Sequence, residues 1–160
     1  MVLGAACATL ATVAALRSGP APHEDGSGDG GATGGPTAPQ AGQALAVARQ
    51  EFGLLSGGGW AQAWDLWTPT AQRAVPQAEF VRVNTECRPP VGVPYVIDAS
   101  SVPDPTTVRV DWHRADTTGS ATLSYRAGRW RFAPDARTLA DYRPGADRLI
   151  QNRTAAGSCH

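Results

Sequence analysis

The sequence predicts an α+β domain in which three N-terminal helices pack on one face of an antiparallel sheet of about four strands, with a short C-terminal extension. Two observations predict this class. Apolar residues recur at helical spacing up to about residue 87, and from residue 91 they alternate with polar residues, as in half-buried strands. Because the helical repeats come first, we expect the helices to cover the apolar side of a sheet formed later in the chain.

The first predicted helix begins near Gln40. Leu45, Ala48, Phe52 and Leu55 recur at helical spacing, and the glycine run 57–59 ends the repeat. This pattern indicates an amphipathic helix with one face in the core.

The second predicted helix carries three tryptophans on one side. Trp60, Trp64 and Trp67 fall at positions i, i+4 and i+7, and Pro69 follows. The indoles would form one large apolar wall, which suits either a packed core or an aromatic ligand pocket.

The third predicted helix begins near Pro76, a residue suited to a first helical turn. It carries Phe80, Val83 and Cys87 on one face, and the pair 89–90, both prolines, closes it.

The strands are predicted from an apolar period of two. The first covers residues 91–99 with Val93, Tyr95 and Ile97, and turns at 116–119 and 127–128 separate three more. The apolar residues of these three strands are Val108, Val110, Trp112, Ala121, Leu123, Tyr125, Trp130 and Phe132. The opposite face displays Arg109, Asp111, His113, Arg126, Arg129 and Arg131. A short helix is predicted over residues 146–156.

The N-terminal part reads as non-globular. Residues 1–17 contain an uncharged apolar run, which predicts a signal peptide or a short membrane anchor. No arginine precedes the run, so Met1 is interpreted as a late start. Residues 18–40 predict a disordered Gly/Pro-rich linker, and 41–160 the folded domain. The chain is therefore expected outside the cytoplasm, secreted or tethered to the cytoplasmic membrane of a bacterium.

Charge and cysteine content set further limits. Fourteen basic and fourteen acidic side chains balance, which argues against nucleic acid as a partner. Of the three cysteines, Cys87 and Cys159 fall in the folded part. One disulfide between them is the favoured interpretation, and two buried free thiols are the alternative.

The order of elements resembles the nuclear transport factor 2-like superfamily, a cone-shaped α+β fold with a curved antiparallel sheet. The segments that carry the resemblance are ALAVARQEFGLL, GWAQAWDLWTPTAQ, PQAEFVRVNTEC and the strands ending in GRWRFAP, about residues 40–133. The chain looks most like secreted or membrane-anchored bacterial members. The resemblance implies a homodimer through the sheet, and in the family's enzymes a buried Asp or Asp–His pair, often with a Tyr.

The residues that such chemistry would use are few. Asp65, next to Trp64, is the weak catalytic candidate, because an apolar wall would raise its pKa toward that of a general base. Its alternative is a solvated helix carboxylate. The further candidates are Tyr95, Asp98, Asp111, His113 and Tyr125, of which Asp111 and His113 are predicted on the strand face opposite the helices. No metal-ligand spacing and no cofactor motif occur, so neither a metal nor a cofactor is expected.

The first functional hypothesis is a non-catalytic module that binds a small apolar ligand or an envelope protein. The alternative is a lyase or isomerase acting on a hydrophobic carbonyl compound with Asp65 as base. The residues predicted to bind the ligand are Trp60, Trp64, Trp67, Tyr95, Trp112 and Tyr125.

Overall fold

The computed structural model describes residues 38–159. The predicted N-terminal apolar segment, residues 1–17, lies outside this range, and so does the predicted linker apart from its last three residues. Within the range, no helix is long and apolar enough to cross a membrane.

The described part is an α+β domain with a four-stranded antiparallel sheet, and four helices precede the sheet while two follow it. The helices are α1 (Ala41–Gly57), α2 (Trp60–Asp65), α3 (Pro69–Ala74), α4 (Gln77–Glu86), α5 (Ala136–Asp141) and α6 (Ala146–Ala155). The strands are β1 (Val96–Asp104), β2 (Thr107–Arg114), β3 (Thr117–Arg126) and β4 (Arg129–Ala133).

The sheet is a meander in the order β1-β2-β3-β4, with each strand antiparallel to the next. The register pairs Val110 with Ala121 and Leu123 with Phe132, and all four side chains are buried. Since side chains alternate along a strand, this register places the apolar side chains of three strands on one face. Helix α1 packs against β2, β3 and β4, so the core lies between α1 and that face.

The number of helices is a correction to the prediction of three. The helical spacing of the tryptophans suggests a helix through Trp67, but α2 ends at Asp65. Beyond it the chain pairs with β4: Phe132 N donates to Leu66 O at 2.9 Å, and Thr68 N donates to Phe132 O at 2.8 Å. The Thr68 hydroxyl then caps α3 by accepting from Ala71 N. Pairing with the sheet edge therefore interrupts the predicted helix.

The first strand begins later than predicted. Strand β1 starts at Val96 rather than near residue 91. The preceding segment is held by Arg114, whose guanidinium donates to Val93 O at 3.2 Å and to Pro90 O. Pro94 has no N–H to donate to a neighbouring strand, and β2 ends at Arg114, so this segment forms a loop.

The C-terminal segment folds back onto α4. In α5, the Asp135 carboxylate caps the helix by accepting from Thr138 N at 2.8 Å. Helix α6 packs on α4, where Arg82 and Asp147 form an exposed ion pair at 2.7 Å.

Cys87 and Cys159 lie at disulfide distance, with Cα atoms 4.4 Å apart and a sequence separation of 72 positions. The bridge joins the end of α4 to the residues that follow α6. It therefore fixes both C-terminal helices beside the core.

Replacement of Cys87 and Cys159 together by alanine is expected to lower the free energy of unfolding by about 4 kcal/mol, because the bridge closes a long loop and so restricts the unfolded chain. Urea unfolding of the oxidised protein and of the double variant measures this difference. Reductant should lower the stability of the natural protein and leave that of the variant unchanged. Equal stability of the two oxidised proteins would contradict the expectation.

Candidate functional site

A cavity of about 220 Å³ lies inside the domain, between α1, the apolar face of the sheet and the C-terminal helices. We call it the aromatic cavity. Its buried lining residues are Glu51, Phe52, Trp67, Phe80, Asn84, Ala121, Phe132 and Tyr142. The other residues of its lining are Leu55, Tyr95, Trp112, Ser120, Pro134, Asp135, Thr138 and Arg153.

Glu51 is the one fully buried carboxyl group in residues 38–159. Its Oε1 accepts a hydrogen bond from Trp67 Nε1 at 3.0 Å, and its Oε2 has no partner in the same part of the chain. Burial raises the pKa of Glu51 from its ordinary value of 4.5 to about 8, while the bond from Trp67 lowers it. At neutral pH the carboxyl is therefore mostly protonated, and Oε2 is left without a hydrogen-bond partner within residues 38–159.

The position of Glu51 follows from the helical repeat of α1. Ala44, Ala48 and Glu51 fall at i, i+4 and i+7, and all three are completely buried. Glu51 was not among the predicted site residues, because the helix was predicted from the apolar residues of this face alone. A carboxylate inside an apolar helical stripe was the signal that could have identified it.

Seven of the sixteen residues that line the cavity are aromatic. Phe52 stacks on Tyr95 with ring centroids 4.8 Å apart, and Trp112 meets Tyr95 edge-on at 4.9 Å. On the other side, Trp67 contacts Phe80 at 4.6 Å. Such offset and edge-on contacts hold the rings in fixed orientations around the cavity.

Gly119 makes room for the Trp112 indole. The two residues are paired across β2 and β3, and a Cβ atom at position 119 would overlap the indole ring. Only glycine allows the indole to lie flat over the neighbouring strand in this way. The absence of a side chain at 119 thus fixes one wall of the cavity.

One end of the cavity is polar. Asn84 Nδ2 donates to Tyr142 Oη at 3.2 Å and to Phe80 O at 2.8 Å. Arg153 lines the same end. Asp135 is exposed and Pro134, Thr138 and Arg153 are half-buried, whereas Asn84 and Tyr142 are buried. The cavity therefore opens to solvent between the start of α5 and the end of α6.

A second, wider groove of about 620 Å³ runs between α1 and β1. Phe52 and Tyr95 belong to the walls of both the groove and the aromatic cavity. The stacked pair therefore separates the two spaces. Arg114 reinforces this partition, because its guanidinium carbon lies 4.8 Å from the centre of the Tyr95 ring.

Three of the six residues predicted to bind a ligand line the aromatic cavity: Trp67, Tyr95 and Trp112. The other three lie elsewhere. Trp60 is buried in the core, Trp64 donates its Nε1–H to Val75 O at 2.7 Å, and Tyr125 packs on Trp130.

The carboxylates singled out in the sequence lie away from the cavity. Asp65 is exposed on α2, where it accepts from Gln77 Nε2 at 3.0 Å, so it matches the alternative of a solvated helix carboxylate. On β2, His113 Nδ1 lies 2.7 Å from Asp98 Oδ1, and Asp111 pairs with Arg109 at 3.5 Å. These groups are solvated and lie outside the aromatic cavity, although Asp98 lines the wider groove.

Among residues 38–159, no group of three or more His, Cys, Asp or Glu side chains is placed to hold a metal ion.

Comparison with known proteins returns no match to this chain among protein-family models, curated proteins or solved structures. The resemblance to the nuclear transport factor 2-like superfamily stays a prediction.

The stability of the domain is expected to fall between about pH 4.5 and pH 8 through Glu51. In this range the folded protein holds the Glu51 proton and the unfolded chain has released it. The folded state then binds more protons, so a rise in pH favours unfolding, by up to about 1.4 kcal/mol per pH unit.

The Glu51→Gln variant has no such group and serves as the reference. The measurement is the free energy of urea unfolding of both proteins across this pH range. Parallel pH profiles would show that Glu51 titrates normally in the folded state.

Proposed function

We propose that this domain binds a small, mainly apolar ligand in the aromatic cavity, with Glu51 forming a hydrogen bond to the ligand's polar group. One observation carries the proposal: Glu51, a residue of the cavity wall, has a fully buried carboxyl group with one oxygen that lacks a partner within residues 38–159. Leaving a buried polar atom unsatisfied costs about 1–3 kcal/mol, and a ligand group bonded to Glu51 would remove this cost.

The size of the cavity limits the ligand. A volume of about 220 Å³ is below the roughly 300–1,000 Å³ typical of pockets for drug-sized molecules. A single ring or a short branched chain suits this space. The aromatic walls favour an apolar body, and the fixed rings leave few alternatives for its orientation.

The protonation state of Glu51 selects the polar group. Because burial raises the pKa of Glu51 to about 8, the carboxyl acts at neutral pH as a donor through its own proton. A carbonyl or ether oxygen is the matching acceptor. We therefore expect a ligand with an oxygen acceptor rather than an ammonium group.

The proposed setting is extracytoplasmic. The Cys87–Cys159 pair at disulfide distance supports an oxidising compartment, as does the apolar segment predicted over residues 1–17. Binding of an envelope protein, and a homodimer through the sheet, remain predictions for the polar sheet face that carries Arg109 and Arg131.

Acetophenone, a single ring with a carbonyl, is expected to bind the natural protein and to shift the NMR signals of Trp67 and Trp112 indoles. Ala121→Leu should abolish binding, because Ala121 lines the cavity and a larger side chain would fill it. Thr122→Leu is the matched control, since residue 122 is the next residue on β3 and points to the opposite face.

Binding that survives Ala121→Leu in a folded protein, or shifts confined to the outer groove, would contradict the proposed site. Loss of binding in both leucine variants would indicate a general effect on β3 and would also count against it.

A second candidate function, proton transfer to or from a carbonyl ligand, is favoured by the same free oxygen of Glu51. An ionised Glu51 next to the α-carbon of a bound ketone would remove a proton and return it, as a base with a raised pKa does efficiently. In this second candidate function the general base is Glu51, which lines the cavity, and not the exposed Asp65.

Proton transfer predicts that the protein catalyses exchange of the acetophenone methyl hydrogens for deuterium. The rate should rise with pH through about 8, where Glu51 ionises, and Glu51→Gln should reduce it to the background. NMR in deuterium oxide follows the exchange. If acetophenone binds but its exchange is no faster than in buffer alone, proton transfer is excluded and only the binding function remains.

A further inference from the structure

We infer that the ligand of the aromatic cavity carries a carboxylate, and that Arg153 and the Tyr142 hydroxyl bind this carboxylate at the mouth of the cavity. This inference rests on the proposed function and extends it, because it names the chemical class of the ligand: a small hydrophobic carboxylic acid in its ionised form.

Arg153 is the first part of the argument. It lies in the last turn of α6, it is half-buried, and it lines the open end of the cavity. In the part of the chain from 38 to 159, its guanidinium has no carboxylate within 4.0 Å and no hydrogen-bond acceptor. The nearby lining carboxylate, Asp135, instead accepts from Thr138 N at 2.8 Å and from the Thr138 hydroxyl at 3.1 Å. The Arg153 guanidinium, with its positive charge and five N–H donors, is thus free to bind a ligand group beside the aromatic cavity.

Tyr142 supplies a second donor. Its hydroxyl oxygen already accepts from Asn84 Nδ2 at 3.2 Å, so its own hydrogen is free to point elsewhere. Burial raises the pKa of Tyr142 to about 12, and the positive charge of Arg153 is among the influences that lower it. The hydroxyl therefore stays protonated at physiological pH and acts as a donor close to the guanidinium.

The two donors match a carboxylate better than other groups. A planar guanidinium binds both oxygens of a carboxylate in parallel hydrogen bonds, and charge-assisted bonds are about twice as strong as neutral ones. Partial burial strengthens them further by lowering the local dielectric constant. Glu51, which lines the aromatic cavity, is mostly neutral at pH 7 and does not repel a bound anion.

The negative charges around this end are exposed. Asp135 and Asp141 lie at the two ends of α5, and both are solvated. Water and salt screen exposed charges, so their repulsion of an anion at the half-buried guanidinium is weak.

The backbone that carries Arg153 is held next to α4. The Cys87–Cys159 bridge joins the residues after α6 to the end of α4, and α6 packs on α4. Asn84, also on α4, contacts Tyr142. Binding a ligand therefore requires no movement of these helices, and the main cost in conformational entropy is the ordering of the Arg153 side chain.

The test compares two probes of nearly equal shape by isothermal titration calorimetry at pH 7: phenylacetate, an anion, and phenylacetamide, which is neutral. The natural protein should bind phenylacetate at least tenfold more tightly, as expected for charge-assisted hydrogen bonds. Arg153→Gln should remove this preference. Tyr142→Phe, which deletes only the hydroxyl, should weaken phenylacetate binding more than phenylacetamide binding.

Arg148→Gln is the matched control, because Arg148 is an exposed arginine on the same helix and does not line the cavity. It changes the net charge as Arg153→Gln does, so it should keep the full preference. Circular dichroism and thermal melting confirm that each variant is folded.

The outcomes separate this inference from the proposed function. If acetophenone binds in the cavity but phenylacetate has no advantage over phenylacetamide, or keeps its advantage in Arg153→Gln, the carboxylate inference is overturned and the cavity remains a ligand site. If neither acetophenone nor phenylacetate binds the folded natural protein, both proposals are overturned. An equal loss of the preference in Arg148→Gln and Arg153→Gln would mean that general charge attraction explains it, which also overturns the inference.

Discussion

The hydrogen bond from Trp67 to Glu51 joins the first helix to the short segment that pairs with the last strand of the sheet. Glu51 belongs to the buried face of α1, and Trp67 lies in the short extended segment that pairs with β4. A carboxyl group in such surroundings is tolerated only when it is neutral or hydrogen-bonded. The contact therefore sets three features together: the position of α1 on the sheet, the end of α2, and a polar atom at the wall of an otherwise aromatic space.

The larger elements could be predicted from sequence because their signals are local. The repeat of Leu45, Ala48 and Phe52 and the alternation around Val108 and Val110 depend on neighbouring residues alone, and both elements form where expected. The break after α2 could not be predicted in this way. The spacing of Trp67 fits a helix, and only pairing with β4, more than sixty residues later, decides against one.

The candidate site was harder to predict for a related reason. An aromatic residue in the sequence indicates burial, but it does not indicate which cavity the side chain lines. The sequence therefore could not distinguish the three residues that line the cavity from the three that do not: Trp67, Tyr95 and Trp112 against Trp60, Trp64 and Tyr125. Carboxylates are usually exposed, so Asp65 was the carboxylate that the sequence pattern favoured as a site residue. Glu51 was harder to identify, because it lies within an apolar helical stripe. Tyr142 and Arg153 lie beyond the sheet in a segment interpreted as an extension, yet that segment lines the polar end of the cavity.

The contact between Gly119 and Trp112 has a consequence for tracing the ancestry of this chain. Two residues that touch so closely across a hairpin must change together: a side chain at 119 is compatible only with a smaller ring, or none, at 112. We expect a pair that is constrained in this way to be retained longer than the general similarity between two sequences. Glycine facing tryptophan across one hairpin, combined with an acidic residue in the buried stripe of the first helix, is therefore a compact pattern by which distant descendants of the same ancestor could be recognised.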